Sequence, residues 1–203
     1  MTHMKMKTKT NELTTLIARL QRKPNEDFLP LANTPERFME FLYFLRRKPG
    51  CRAHKADMAT YFNITERQVR FYATAGSEIF GLFDASERGF VSLTKLGKEM
   101  AYTKKEEVAF YLKTEMQKMP LIQEFINKDI SEDLSPVIKA IESNEKWEQE
   151  YSLSSVERRA STIRSWVEYI REDSLPISES QLLHFVKQNR SVLSHLFTVK
   201  QVG

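Results

Sequence analysis

Apolar residues recur at helical spacing along most of the 203-residue chain, and proline, glycine, asparagine or serine marks the breaks between the periodic stretches. Leu13, Leu16, Ile17 and Leu20 predict a short helix that ends at "KPNED", after a Met/Lys/Thr-rich start. Thr34, Pro35 and Glu36 form a clean start signal, with a capping residue, a proline at the first helical position and an acid in the first turn. From there Phe38, Phe41, Leu42 and Leu45 fall on one face, and Pro49-Gly50 stops the run. Two further helices are predicted over about 55–62 and 66–79. "GLFDASERGFVSLT" then reads as a hairpin with a Ser-Glu-Arg-Gly turn, and Thr94 caps "KLGKEMAY".

Beyond residue 103 the pattern is helical again, through "KKEEVAFYLKTEMQKM", "PLIQEFINKD" and "SPVIKAIESN", the last with Ser135-Pro136 as its start. "SSVERRASTIRSWVEYIRE" buries Val156, Ala160, Ile163, Val167 and Ile170 on one stripe, with Trp166 beside it as a core residue. Ser154-x-x-Glu157 predicts a capping box for this helix, and its outward face holds Arg158, Ser161, Thr162, Arg164 and Ser165. "SESQLLHFVKQNRSVLSHLF" closes the chain as a further helical segment that fits a homodimer or partner-protein contact. The expected fold is mainly α: a winged helix-turn-helix with a small β-hairpin wing, then a second helical unit of similar plan. The expected divisions are 1–30 (arm and short helix), 31–113 (winged helix) and 114–203.

"MATYFNITERQVRFY", residues 58–72, carries the most specific local signal. A helix-turn-helix needs a small residue where its helices cross, a turn residue tolerant of positive φ, an apolar plug and a cap. Ala59, Asn63, Ile64 and Thr65 meet those needs in order, and Gln68 completes a Thr-x-x-Gln box. With Val69, Tyr72, Ala73 and Gly76 turned inward, the helical step leaves Arg67, Arg70, Phe71 and Thr74 outward, with Gln68 flanking. Arg and Gln can read base edges in the major groove, and the first turns of the second helix are where such readers stand. An outward Phe71 either touches a thymine methyl or sugar, or packs under a neighbouring element.

Charge sharpens the picture. The net charge of +4 divides into +7 over the first 113 residues and −3 over the rest. Residues 46–70 hold seven basic side chains against two acidic ones, the footprint expected of a phosphate-facing surface, although a solvated charged face has the same composition. Arg46, Arg47, Lys48 and Arg52 are the expected phosphate anchors, and Arg88 at the hairpin tip is placed for phosphate or minor groove.

"RQVRFY … GLF … LT-x-x-G" followed by "RRASTIRSWVEYI" resembles the tandem winged-helix recognition modules of bacterial restriction-modification and phage-defence proteins, over roughly residues 35–172. In such modules the helix after each turn and the wing contact DNA. The resemblance therefore implicates Arg67, Gln68, Arg70 and Arg88, then Arg158, Arg159 and Arg164. It implies a double-stranded DNA-binding protein, either a recognition part of a restriction or defence system or a small transcriptional regulator. A non-enzymatic adaptor using the winged helix and the C-terminal helices is the competing expectation.

Chemistry of other kinds is not encoded in recognisable form. Carboxylates lack the frame of a metal-dependent nuclease, and no methyltransferase or phosphate-loop motif occurs. His3, His54, His184 and His195 lack ligand spacing, and Cys51 stands alone, so neither a metal site nor a disulfide is expected. No catalytic residue, metal or cofactor is expected. No apolar run is long enough to span a membrane, and the single cysteine suits a reducing cytoplasm, nucleoid-associated when DNA is bound.

Overall fold

The computed structural model of the chain describes residues 28–144, 147 and 151–172. The N-terminal arm with its short helix, the C-terminal segment after Glu172, and His3, His184 and His195 lie outside the described residues. Helix α1 (Pro35–Arg46) is followed by a 3-10 turn (Pro49–Cys51), β1 (Arg52–His54), α2 (Lys55–Phe62) and α3 (Glu66–Glu78). Then come β2 (Phe83–Asp84), β3 (Phe90–Leu93), α4 (Lys95–Met100), α5 (Lys105–Met116), α6 (Pro120–Phe125), α7 (Ser135–Glu142) and α8 (Leu153–Glu172). The protein is thus mainly helical with one small antiparallel sheet, as the hydrophobic periodicity predicts.

The sheet has the order β1-β3-β2, with Ala53 opposite Val91 and Phe83 opposite Leu93. Sequence reading predicts β2 and β3 and misses β1. Three residues are too few to show alternation, and the strand exists because β3 offers it a free edge. His54 ends β1 and caps α2, accepting from the Ala56 N–H at Nδ1 (3.2 Å). Thr94 caps α4 in the same way at 3.0 Å from the Gly97 N–H, and its own hydroxyl donates to the Gly81 carbonyl at 2.6 Å.

Helix α1 is the hub of the core, in contact with α3, α4, α5, β1 and β3. Its predicted apolar face is fully buried: Phe38, Phe41, Leu42 and Leu45. Phe38 meets Tyr72, Phe80 and Trp166 at centroid separations of 5.3, 5.0 and 5.8 Å. Two close approaches lock the surrounding elements. A Cβ at Gly76 would stand 2.1 Å from the Phe83 ring, and one at Gly97 would stand 2.0 Å from the Leu82 carbonyl oxygen. Only glycine lets α3 and α4 lie that close to β2.

The division expected near residue 113 does not coincide with the packing. Pro24–Arg171 is one compact unit, and the second, Met1–Lys23 with Glu172–Gly203, lies outside the described residues except for Glu172. Trp166 of α8 is completely buried, touches Phe38 and Phe80, and donates its Nε1–H to the Ala32 carbonyl at 2.9 Å. The last helix of the supposed second domain therefore completes the core of the first. Nor do α7 and α8 form a tight helical pair, because residues 143–152 separate them. The Ser154–Glu157 box is also absent. Helix α8 begins at Leu153, which puts Ser154 inside the first turn, and Ser152 Oγ donates to Ser155 Oγ at 3.1 Å.

Candidate nucleic-acid interface

The segment from α2 to α3 is determined by short-range chemistry. Ala59 is buried where the two helices meet, and its carbonyl accepts from the Ile64 N–H at 3.0 Å. Asn63 adopts the left-handed conformation (φ 51°, ψ 48°), which its short amide tolerates better than most side chains. Thr65 then caps α3 with a complete capping box: its Oγ1 accepts from the Gln68 N–H at 3.2 Å, and Gln68 Oε1 accepts from the Thr65 N–H at 2.9 Å. Val69, Tyr72, Ala73 and Gly76 are all buried, as the helical step requires.

That phase leaves Arg67, Gln68 and Arg70 exposed, while Phe71 and Thr74 are half-buried. The Arg67 guanidinium lies 5.5 Å from the centre of the Phe71 ring. Arg67 and Arg70 have no ion-pair partner among the described residues. Their charge therefore faces solvent uncompensated at close range. Gln68 is less free than its exposure indicates: the cap takes its carbonyl oxygen, so only the Nε2 hydrogens remain for a ligand. Bidentate reading of adenine, which needs both ends of the amide, would cost α3 its cap.

The other predicted basic contacts divide sharply. Arg47, Arg88 and Arg158 are exposed and, among the described residues, without ion-pair partners. Lys48 is exposed with its ammonium 4.6 Å from the Phe44 ring. Arg46 serves the fold instead. Its Nη1 donates to the Ala101 carbonyl at 2.7 Å, and its guanidinium stacks 5.1 Å from the Tyr102 ring, tying α1 to the end of α4. Arg52 is clamped by Glu87 and lies 3.8 Å over the Phe90 ring, with Nε buried. As an anchor for phosphate it is corrected to a strut that holds β1 to the hairpin tip.

In α8, Arg159 stacks 3.7 Å from the centre of the Tyr151 ring, and Arg164 donates to the Ser131 carbonyl at 3.1 Å with Glu168 3.9 Å away. Both are half-buried and hold α8 to neighbouring chain, which corrects their expected role as DNA contacts. Thr162, expected on the outward face, is buried, and its hydroxyl donates to the Arg158 carbonyl at 3.0 Å.

The tertiary structure joins α3 to α8 at one place. A half-open cavity of about 240 Å³ lies between them and the loop before α1, lined by Asn33, Gln68, Phe71, Tyr72, Arg158 and Ser161 among others. It sets Arg158 beside the exposed start of α3, although the two are distant in sequence. Asn33 is the residue that sequence reading missed. It stands in a loop without periodicity, and its Oδ1 lies 3.5 Å from the Tyr72 hydroxyl only because α3 packs across that loop.

A family model described as "Domain of unknown function (DUF7226)" matches residues 37–174. The chain belongs to that family. The match runs from the first turn of α1 to just past α8, so the DUF7226 domain and the compact unit nearly coincide. No curated protein and no solved structure matches the chain. Among the described residues, no group of three or more His, Cys, Asp or Glu side chains is arranged to hold a metal ion, and no helix is long and apolar enough to cross a membrane.

Proposed function

We propose that this DUF7226 protein binds double-stranded DNA through the start of α3, with α2 and α3 acting as a helix-turn-helix and the β2–β3 hairpin as its wing. One observation carries the reading: Arg67 and Arg70 stand exposed and unpaired among the described residues, on a helix whose first turn is fixed by a complete capping box. Placing two guanidinium groups on such a rod is useful if the partner is anionic, because they then need little reordering on contact. Arg158 from α8 and Arg47, Lys48 and Arg88 supply further exposed positive charge for phosphate. Both settings implied by the resemblance, a recognition part of a restriction or defence system and a small transcriptional regulator, use a surface of this kind.

The test is binding of the full chain to labelled duplexes selected from a random pool, measured between about 50 and 200 mM salt. Affinity should fall steeply over that range. Arg67→Ala with Arg70→Ala should lower the slope of log K against log salt by about 2 and remove discrimination among sequences. Equal affinity of the double variant and the parent for every duplex would refute the assignment.

A protein-binding adaptor is the second reading, favoured by exposed Tyr102 (73%) and Phe110 (56%). Complexes made through those rings would be insensitive to salt over the same range. The C-terminal helices expected to serve the adaptor lie outside the described residues.

A further inference from the structure

The cavity between α3 and α8 has a composition that the DNA-facing surface alone does not require. Its wall is aromatic: Phe71 half-buried and Tyr72 buried. Its polar groups are mostly donors. Gln68 gives its carbonyl oxygen to the cap and keeps its Nε2 hydrogens. The Asn33 Oδ1 is approached by the hydroxyls of Thr34 (3.4 Å) and Tyr72 (3.5 Å), which leaves its Nδ2 hydrogens. Arg158 adds a guanidinium without an ion-pair partner among the described residues, and Ser161 adds a hydroxyl.

An aromatic wall with several donors and one cation selects a flat, acceptor-bearing ring that carries an anion. A nucleobase with its phosphate has that chemistry, since every base offers a π face and ring or carbonyl acceptors. Size agrees. At about 240 Å³ the cavity is below the roughly 300–1,000 Å³ of sites for drug-sized ligands, which suits a single ring system better than a larger ligand.

We infer that this cavity receives one nucleobase, stacked against Phe71 and Tyr72, hydrogen-bonded by Asn33 and Gln68, with Arg158 on its phosphate. The inference rests on the proposed function and deepens it. The base arrives from an unpaired or extruded nucleotide of the strand that α3 faces, because the cavity opens beside the start of that helix. A free mononucleotide shares the chemistry, and the experiment separates the two sources.

The full-length protein is titrated with three probes: a fully paired duplex, the same duplex with one bulged nucleotide, and the four deoxynucleoside monophosphates. The bulged duplex should bind about tenfold tighter than the paired one, the scale of one base stacked on an aromatic side chain. Ser161→Trp, which fills the cavity, should abolish that preference and leave paired-duplex affinity unchanged. Asn33→Leu, which removes the amide donors, should do the same and serves where the tryptophan variant does not fold. A response to the monophosphates that both variants abolish, without a bulge preference, assigns the cavity to a free nucleotide. Equal affinity for bulged and paired duplexes together with no response to any monophosphate overturns the inference. Failure to bind the paired duplex at all would instead strike the proposed function, and the monophosphates would still decide what the cavity holds.

Discussion

Helix α3 buries Val69, Tyr72, Ala73 and Gly76 and leaves Arg67 and Arg70 in solvent, whereas α8, just as basic at its start, turns Arg159 and Arg164 onto neighbouring chain. Both helices are amphipathic, and both carry an arginine-rich opening. They differ in what lies beside them. Helix α8 is drawn into the unit by Trp166, so its flanks meet Tyr151 and the Ser131 carbonyl and its long side chains find partners there. Helix α3 packs by small residues on one side, Gly76 against Phe83 among them, and its opening turns meet no carboxylate among the described residues. Arginines that look alike in sequence therefore act as struts in one helix and as free charge in the other.

Removing the cause of the difference should have the largest effect. Trp166→Ala deletes a fully buried indole, its hydrogen bond to Ala32 and its contacts with Phe38 and Phe80. It should cost about 3–5 kcal/mol in chemical denaturation. A loss below about 1 kcal/mol would mean that α8 is not part of the core.

On the other side of the comparison, Thr65→Ala removes the cap and should cost about 1 kcal/mol. It should also weaken DNA binding, because the frayed turn is the one that carries Arg67. The arginines themselves should then separate. Arg52→Ala loses the Glu87 ion pair and the Phe90 ring contact, a stability change of about 0.5–1 kcal/mol visible as a lower Tm, with little effect on the salt slope of binding. Arg70→Ala should leave Tm within the scatter of surface substitutions and lower the slope by about 1. A reversal of those two outcomes would erase the distinction between strut and free charge.

The smallest effect is expected in acid. Hydrogen bonds from the Ser86 side chain and backbone hold the Asp84 carboxyl below its usual value, and Ser135 does the same for Asp133 ahead of α7. A carboxyl whose folded value is lowered adds stability above its unfolded value, and that stability is lost as pH falls through the folded one. Asp84→Asn with Asp133→Asn should therefore flatten the decline of Tm with acid below about pH 4. Parallel curves for variant and parent would show that these turns are energetically neutral.

The start of α1, the capping box at Thr65, the left-handed Asn63 and the buried stripe of α8 were legible because each depends on residues within a few positions of one another. Strand β1 was not legible, since three residues gain their identity only from β3 some forty positions on. The inward turn of Thr162 was missed for a related reason. Its place depends on what α8 packs against, not on the helical step alone.

The amino-acid order by itself determined which segments coil, where they are capped and which faces are apolar, because backbone hydrogen bonds and side-chain period act over short stretches. Only the tertiary structure decided that Trp166 closes a single core and that Arg46, Arg52, Arg159 and Arg164 are held while Arg67, Arg70 and Arg158 are not. It also made the cavity that joins Asn33 to α3 and α8. An arginine side chain is long and flexible, and whether its charge reaches solvent is set by the neighbours that folding brings to it.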